Sequence, residues 1–355
     1  MTVLWINFAI VFITSLFARY FSYSLNGSIT YIKPNKFLIF ISALSLIFIS
    51  GLRNNIGDTY FYMHSYEIKQ STFENFDFKG EFGFKFLQAI LHLMSDNPQI
   101  LIFSTALITN LLIVIALYKY SRRIELSLFV YIAAGMFTVS MNGIRQYLAA
   151  AIIFIATKYI LEGNYKKFAL VILIASTIHQ SALIFLPIYF IVRRKAWTKT
   201  TFVILLAGVG IAAGFNEFSK FLFNAIEDTK YSGYSEFDEG GSSVLRVVVT
   251  GAPLIVAYLG REKLQKIWPK SDYIVNLTIL GIVFIIVATQ NWIFARFQIY
   301  FGLYSLILIS WIIDLFKKQY RKLMYYTIMC LYILYFYYEQ VIALNINYRS
   351  DYLFW

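Results

Sequence analysis

The sequence is poor in charged residues and has almost no cysteine. Only 14% of its 355 residues are charged, against about 25% in ordinary soluble domains. Its single cysteine, Cys330, lies in an apolar run, which excludes a disulfide framework and a cysteine-based metal site. The chain also has no glycine-rich nucleotide loop and no histidine cluster with metal-ligand spacing. We therefore expect it to need no metal and no nucleotide cofactor.

Apolar residues dominate instead. The chain is 59% hydrophobic and 19% aromatic, with a mean hydropathy of +0.64. A soluble core of this size could not bury so much apolar surface, and one membrane span takes about 20 apolar residues, so the length allows roughly ten to twelve spans. We predict an all-α, polytopic transmembrane helical bundle that forms one integral membrane domain, residues 1–355. Met1–Phe17 has no basic n-region and no small-residue cleavage site, so we expect a retained span and no signal peptide.

Ten apolar runs are clear candidates for spans, and two further segments are less simple. The clear runs are Val3–Ala18, Phe37–Leu52, Ile100–Leu117, Leu126–Met141, Tyr147–Leu161, Phe202–Phe215, Val244–Leu259, Ile274–Thr289, Phe297–Leu315 and Met324–Ala343. Phe82–Met94 is short and amphipathic, and Phe168–Val192 is apolar but interrupted near His179.

The charges of the loops predict the orientation. Basic loops are expected in the cytoplasm, and they account for the net charge of +12 without nucleic-acid binding. The cytoplasmic set holds Arg19, Lys33 and Lys36; Lys119, Arg122 and Arg123; Lys158, Lys166 and Lys167; Arg193, Arg194, Lys195 and Lys199; Arg261, Lys263, Lys266 and Lys270; Lys317, Lys318, Arg321 and Lys322. Loops 53–81 and 216–243 are acidic or mixed, so we place them, and the N-terminus, outside a bacterial plasma membrane.

This orientation has two consequences for the helices. One of Phe82–Met94 and Ile100–Leu117 does not cross fully, and we predict that Phe82–Met94 lies on or dips into the outer face. Loops 158–167 and 193–199 are both basic, so the segment between them must enter and return. About 25 residues cannot make two spans; we predict a re-entrant hairpin with its tip near His179-Gln180-Ser181. The alternative is one long tilted helix.

Several polar residues fall on the predicted outer side, some at membrane depth, where ionisable groups are functional candidates. Four arginines around one cavity would suit an anionic ligand such as a lipid phosphate or pyrophosphate. Nearby tyrosines, including Tyr62, could stack on sugar rings. The candidate binding residues are Arg53, Asn142, Arg145, Gln146, Gln180, Arg246, Arg296 and Tyr62.

Each candidate also has a structural interpretation. An arginine near the end of a span often only snorkels to lipid headgroups. His179 is a plausible general base, because its ordinary pKa lies near the working pH, but it could equally be a satisfied core histidine. Asp58 is our second choice as base, and it could instead cap the following helix.

Several of these residues lie in longer motifs that occur in a fixed order along nearly the whole chain. The motifs are Lys33-Pro34-Asn35-Lys36, Ser50-Gly51-Leu52-Arg53, Asn142-Gly143-Ile144-Arg145-Gln146-Tyr147, His179-Gln180-Ser181-Ala182-Leu183-Ile184, Tyr189-Phe190-Ile191-Val192-Arg193-Arg194-Lys195-Ala196-Trp197, Trp268-Pro269, Ile293-Phe294-Ala295-Arg296-Phe297 and Ile299-Tyr300-Phe301-Gly302-Leu303-Tyr304. Through these motifs the chain resembles the EpsG family of exopolysaccharide proteins, which is related to Wzy-type polymerases. One departure concerns Gly57-Asp58-Thr59, where the family commonly has Gly-Thr-Asp; this weakens a carboxylate role for Asp58 and leaves Arg53 unaffected.

The resemblance implies a glycosyltransferase C-like membrane fold and a role in the synthesis of the biofilm matrix. The related polymerases join oligosaccharide repeat units at the outer face, with a polyprenyl-pyrophosphate-linked chain as donor. The implied partners are this lipid-linked oligosaccharide, membrane lipids, and other exopolysaccharide synthesis and export proteins. Three alternatives remain open: a flippase for the lipid-linked unit, a non-enzymatic scaffold of the synthesis complex, and a membrane acyltransferase, for which the sequence offers no cytoplasmic acyl-donor site.

Overall fold

The structure is a computed structural model that describes residues 1–24, 32–68, 76–225 and 240–353. Contacts divide the chain into two compact units: the first unit is Met1–Tyr189 with Ile309–Trp355, and the second unit is Phe190–Leu308. Parts of both predicted outer loops, residues 69–75 and 226–239, lie outside the described residues; they include most acidic residues of loop 216–243 but only Glu74 of loop 53–81. The prediction of one membrane domain stays a prediction.

The described residues are almost entirely helical. A two-residue antiparallel ladder joins β1 (Tyr23–Ser24) to β2 (Ile32–Lys33). The α-helices are α1 (Thr2–Tyr20), α2 (Lys36–Gly51), α3 (Thr59–Ile68), α4 (Phe82–His92), α5 (Gln99–Tyr120), α6 (Ile124–Ala133), α7 (Met136–Asn142), α8 (Ile144–Ile155), α9 (Thr157–Glu162), α10 (Tyr165–Ile178), α11 (Phe185–Val192), α12 (Lys199–Ala213), α13 (Phe215–Ala225), α14 (Val244–Leu259), α15 (Arg261–Ile267), α16 (Ser271–Ala288), α17 (Ala295–Ile312) and α18 (Lys318–Phe336). Short 3-10 helices cover Gln180–Ile184, Trp292–Phe294 and Ile313–Leu315, and a π-helical segment, Tyr337–Ala343, continues α18.

The helices follow the apolar runs of the sequence. Within the described residues, five helices are long and apolar enough to cross a membrane, and up to eight spans result if each of three bent pairs counts as one. In the hydrocarbon core of a bilayer no water is available, and a helix satisfies its backbone hydrogen bonds internally. Apolar runs of this length therefore fold as helices. The prediction of a polytopic helical bundle is confirmed, and the protein is a multi-pass membrane protein.

The run Leu126–Met141 is broken in the structure. Helices α6 and α7 meet at an angle of 56°, and Gly135 between them has a left-handed backbone with φ of +75°. The side chain of Gln340, from the π-helical segment, lies against this turn and accepts a hydrogen bond from Thr138 Oγ1 at 2.7 Å. A Cβ on residue 135 would lie 2.6 Å from the Gln340 Nε2 atom, so the bend needs glycine.

The segment after α10 folds back, as predicted. Helix α10 ends at Ile178, and His179 is extended with φ of −149° and ψ of 114°. Tyr189 then packs its ring 5.1 Å from Tyr165 and 5.2 Å from Phe168, at the start of α10. A straight helix would separate residues 165 and 189 by about 36 Å, so the contacts establish a helical hairpin that turns at His179.

Helix α4 is too short to cross a membrane. It has 11 residues, a length of about 16 Å at 1.5 Å per residue, against a hydrocarbon core of about 30 Å. This agrees with the prediction that Phe82–Met94 does not cross.

A tail strap, residues 347–352, binds back to residues 49–55. Tyr348 Oη donates to the Ile49 carbonyl at 2.9 Å, and Asn55 Nδ2 donates to the Asn347 carbonyl at 2.6 Å. The Arg349 N–H completes the exchange by donating to Asn55 Oδ1 at 2.7 Å. These hydrogen bonds fix the short stretch that follows α2.

Candidate functional site

A buried carboxylate, Glu81, joins three separate segments of the first unit. It immediately precedes α4, and its side chain is only 9% exposed. Its Oε2 accepts a hydrogen bond from Arg145 Nη1 at 2.6 Å. Its Oε1 lies 2.9 Å from His179 Nδ1 and accepts from the Gln180 backbone N–H at 3.2 Å. The start of α8 and the tip of the hairpin therefore meet at one carboxylate.

Close packing of α4 on α10 sets this arrangement. A Cβ on Gly83, in the first turn of α4, would overlap with the side chain of Thr177 near the end of α10. The absence of a side chain at Gly83 thus lets the two helices approach closely. Because Glu81 and His179 lie just beyond these two residues, the same approach brings the carboxylate to the imidazole.

Arg145 is held on two sides and still reaches solvent. Its Nε donates to Tyr62 Oη at 3.1 Å, in addition to the ion pair with Glu81. Its guanidinium carbon lies 5.7 Å from the centre of the Tyr62 ring and 5.8 Å from that of Phe84, within cation–π range. With its side chain 40% exposed, Arg145 presents a positioned positive charge to a ligand.

The surroundings keep Glu81 ionised. Burial raises the pKa of its carboxyl, but the hydrogen bond with His179 and the positive charges of His179 and Arg145 outweigh it and lower the pKa to about 2. An ionised carboxylate can only accept hydrogen bonds, so the Nδ1 of His179 carries a proton. The lone pair of a neutral imidazole is then on Nε2, where it can accept a proton from a ligand.

His179 is 18% exposed, and within the described part of the chain its ring has no hydrogen-bond partner other than Glu81. A carboxylate that orients an imidazole through Nδ1 leaves Nε2 for chemistry, which is the arrangement of a general base. The predicted site residues Arg145, His179, Gln180 and Tyr62 are therefore brought together. Glu81 was not predicted to join them, because its sequence position placed it in the acidic loop 53–81.

Arg53 lies elsewhere, fully buried between the ends of α2 and α7. Its Nε donates to Thr59 Oγ1 at 2.9 Å and its Nη2 to the Met141 carbonyl at 2.6 Å. Its Nη1 donates to the carbonyl of Ser50. All three guanidinium nitrogens are thus engaged by the protein, and the predicted contact of Arg53 with substrate stays a prediction.

Asn142 and Asp58 form part of the same junction. The Asn142 Oδ1 atom accepts from the Asp58 backbone N–H at 2.9 Å, and Asn142 packs directly against Gly57, whose φ is +55°. Within the described residues the Asp58 carboxylate makes no hydrogen bond and no ion pair. Its predicted role as second-choice base, and that of Asn142 in binding, are untested.

The remaining predicted residues are a buried glutamine of the first unit and two arginines of the second unit. Gln146 is buried on α8. Arg246 on α14 and Arg296 on α17 belong to the second unit, where the Arg296 guanidinium lies 5.0 Å from the centre of the Trp292 ring. In the described ranges no three histidine, cysteine, aspartate or glutamate side chains are close enough to hold a metal ion.

Comparison with known proteins places the chain in a family. No curated protein and no solved structure matches it. The EpsG family model matches residues 36–352, a range that includes Glu81, Arg145 and His179. The chain therefore belongs to the EpsG family and is a multi-pass membrane protein of exopolysaccharide biosynthesis.

Proposed function

We propose that this protein polymerises lipid-linked oligosaccharide repeat units into exopolysaccharide of the biofilm matrix. The observation that supports this most directly is the Glu81–His179 pair beside Arg145. It combines a proton acceptor with a partly exposed cation. A glycosyl transfer from a polyprenyl-pyrophosphate donor requires both functions: a base for the acceptor hydroxyl and a charge for the leaving group.

In the proposed reaction, His179 Nε2 removes the proton from an acceptor hydroxyl of one lipid-linked unit. The oxygen attacks the anomeric carbon of the donor chain, and the bond from that carbon to the pyrophosphate oxygen breaks. The departing polyprenyl pyrophosphate takes the electron pair, and Arg145 stabilises its negative charge. Glu81 holds the imidazole in its orientation and stabilises the imidazolium that forms.

The other predicted binding residues belong to the same proposal. Asn142, Gln146, Gln180 and Tyr62 would contact sugars or phosphates near the cluster, and Asp58 is the alternative base. From the sequence we also propose that Arg53, Arg246 and Arg296 bind pyrophosphate or neighbouring sugars; the guanidinium of Arg53 would first have to give up one of its hydrogen bonds to the protein. With the basic loops in the cytoplasm, the site lies at the outer face of a bacterial plasma membrane.

The test is polymer length in cells that carry His179→Ala, Arg145→Ala or Glu81→Gln at matched protein levels. Loss of a general base typically costs 10²–10⁴-fold in rate, so we expect long polymer to disappear and single lipid-linked units to accumulate on the outer leaflet. Lys85→Ala is the matched control: it removes the exposed ion pair of Lys85 with Asp77, close to Glu81 in the chain, and leaves the cluster intact.

Two outcomes would reject the proposal. Accumulation of units only on the inner leaflet would identify a flippase. Normal polymer in all three variants would make the cluster dispensable and favour a scaffold of the synthesis complex.

A further inference from the structure

A cavity of the first unit is lined by residues of the predicted cytoplasmic loops and of the helices beside them, and it shares no residue with the Glu81 cluster. Its volume is about 250 Å³. It is formed where α1 ends, where α5 is connected to α6, and where α18 begins. The residues that line it are Leu16, Arg19, Arg123, Ile313, Arg321, Lys322, Tyr325 and Tyr326.

Buried carboxylates hold three of its arginines in place. Arg123 forms a two-pronged ion pair with Asp314, with both N–O distances at 2.9 Å, and Arg321 Nη1 lies 3.0 Å from the same carboxylate. Arg19 is paired with Glu125, which is completely buried. The cations that line the cavity are therefore fixed in position before any ligand arrives.

Positive charge remains in excess at this place. Asp314 also pairs with Arg122 at 3.3 Å, so two carboxylates serve four arginines, and Lys322 adds a further cation. Lys322 is exposed and, within the described residues, forms no ion pair. The cavity is therefore suited to an anion, which would complete the charge balance.

Exposed apolar side chains flank the cavity on α1 and α18. Leu16 is 39% exposed, and its neighbour on α1, Phe17, is 48% exposed. On α18, Leu323 and Tyr326 are 61% and 57% exposed. On the helices of a membrane protein such side chains suit contact with acyl chains, so apolar surface adjoins the cationic lining of the cavity.

We propose that this cavity binds the phosphate-bearing headgroup of an anionic phospholipid. The guanidinium groups would pair with the phosphodiester, and the hydroxyl of Tyr326 would bond to a headgroup oxygen, whereas the hydroxyl of Tyr325 donates to Glu125 Oε1 at 3.5 Å. The acyl chains would lie along the exposed face of α1 and α18. Basic pockets between helices at a membrane surface are a known mode of headgroup recognition. The cavity volume of about 250 Å³ is slightly below the roughly 300 Å³ of the smallest typical ligand pockets, which suits a small headgroup whose acyl chains stay outside.

The experiment measures thermal stability and lipid retention of the full-length protein purified in detergent. Phosphatidylglycerol, phosphatidylcholine and soluble glycerol phosphate are added separately, and retained lipid is counted by native mass spectrometry. Lys322→Gln and Lys322→Glu are the test variants, since they break no described ion pair and should fold. Lys166→Gln is the matched control, because Lys166 is an exposed lysine of another basic loop that does not line the cavity.

We expect phosphatidylglycerol to be retained and to stabilise the wild-type protein, with phosphatidylcholine ineffective. Lys322→Gln should weaken this effect about fivefold, as expected for one basic side chain at an anionic surface, and Lys322→Glu should weaken it further. Equal stabilisation by glycerol phosphate would show a site for free phosphate and overturn the lipid assignment. Equal weakening in Lys166→Gln would show general surface attraction, and no preference for phosphatidylglycerol would leave the cavity without this function.

Discussion

Replacing Glu81 by glutamine should destabilise the protein in a way that depends on pH. Glutamine keeps the size of the side chain and one acceptor oxygen, but it removes the negative charge that Arg145 and His179 share. Its amide N–H₂ cannot accept the hydrogen bond of Arg145. The variant therefore removes the electrostatic link between α4, α8 and the hairpin and leaves the packing of the segments unchanged.

The magnitude follows from the pKa. The pKa of Glu81 falls from an ordinary 4.5 to about 2 in the folded protein, and each unit corresponds to about 1.4 kcal/mol. The charge of Glu81 therefore contributes at most about 3 kcal/mol to the free energy of unfolding. Because the Arg145 side chain is 40% exposed, solvent screens part of the attraction, and we expect a loss of about 2 kcal/mol at pH 7. For a chain of this length, that corresponds to a decrease of roughly 3 °C in the midpoint of thermal unfolding.

The dependence on pH has a definite sign. A carboxyl whose pKa is lowered by folding stabilises the protein fully above pH 4.5, and this contribution is lost as the pH falls towards 2. The difference in midpoint between wild type and Glu81→Gln should therefore be at least as large at pH 5 as at pH 7, since protonation of the neighbouring imidazole adds attraction, and it should shrink from pH 4.5 to pH 3. Tryptophan fluorescence of the detergent-purified proteins provides the measurement. The control is Asp77→Asn, which removes an exposed carboxylate of the same loop; because its ion pair with Lys85 lies at the surface, the midpoint should change little.

A difference in midpoint that is equally large at pH 7 and pH 3 would refute this reasoning, because the loss would then be one of packing. The absence of any difference at pH 7 would refute it as well, since the ion pair would contribute nothing to the folded state.

Three further substitutions test other parts of the first unit, each by the midpoint of thermal unfolding. Gly57→Ala should cost more than about 1 kcal/mol, because the new Cβ meets Asn142 at a positive φ; Gly80→Ala, also at positive φ but with open space around it, should cost less. Asp314→Asn should cost about 3 kcal/mol by leaving buried arginines without their carboxylate. Arg53→Met should cost about 2 kcal/mol, because the carbonyls at the ends of two helices lose a charged donor. For each of the three substitutions, an unchanged midpoint would show that the contact it removes does not stabilise the fold.

The helices were predictable because their apolar runs are long and each span satisfies its own backbone. The hairpin at His179 followed from a charge argument, since two basic loops flank a segment too short for two spans. The bend at Gly135 could not be predicted in the same way. It depends on contact with Gln340, about 200 residues further along the chain, and an apolar run gives no sign of such a partner.

Several residues of the Glu81 cluster are candidates from the sequence alone. Arg145, His179 and Gln180 are candidates because polar groups at membrane depth are costly, and Tyr62 is one because its ring could stack on sugars; the structure places the four together. Glu81 was missed because a carboxylate in an acidic loop resembles its neighbours. The sequence does contain one signal. Glu81 lies directly before a short amphipathic helix and between Gly80 and Gly83, and glycines at the start of a helix allow another helix to pack closely against it.

The tail strap constrains how often the chain crosses the bilayer. Residues 347–352 and 49–55 are hydrogen-bonded to each other, so they are on the same side, and the chain between them must cross an even number of times. If α4 does not cross, the hairpin returns to the side on which it began, and the run Met324–Ala343 crosses as the sequence predicts, the spans between the two stretches number eight, an even count: α5, α6–α7, α8–α9, α12–α13, α14–α15, α16, α17 and α18. A hairpin that crossed would make the count odd, and the two bonded stretches would then face opposite compartments. The hydrogen bonds of the tail strap thus favour a hairpin at His179 that does not cross the bilayer, although the two are more than 150 residues apart in the chain.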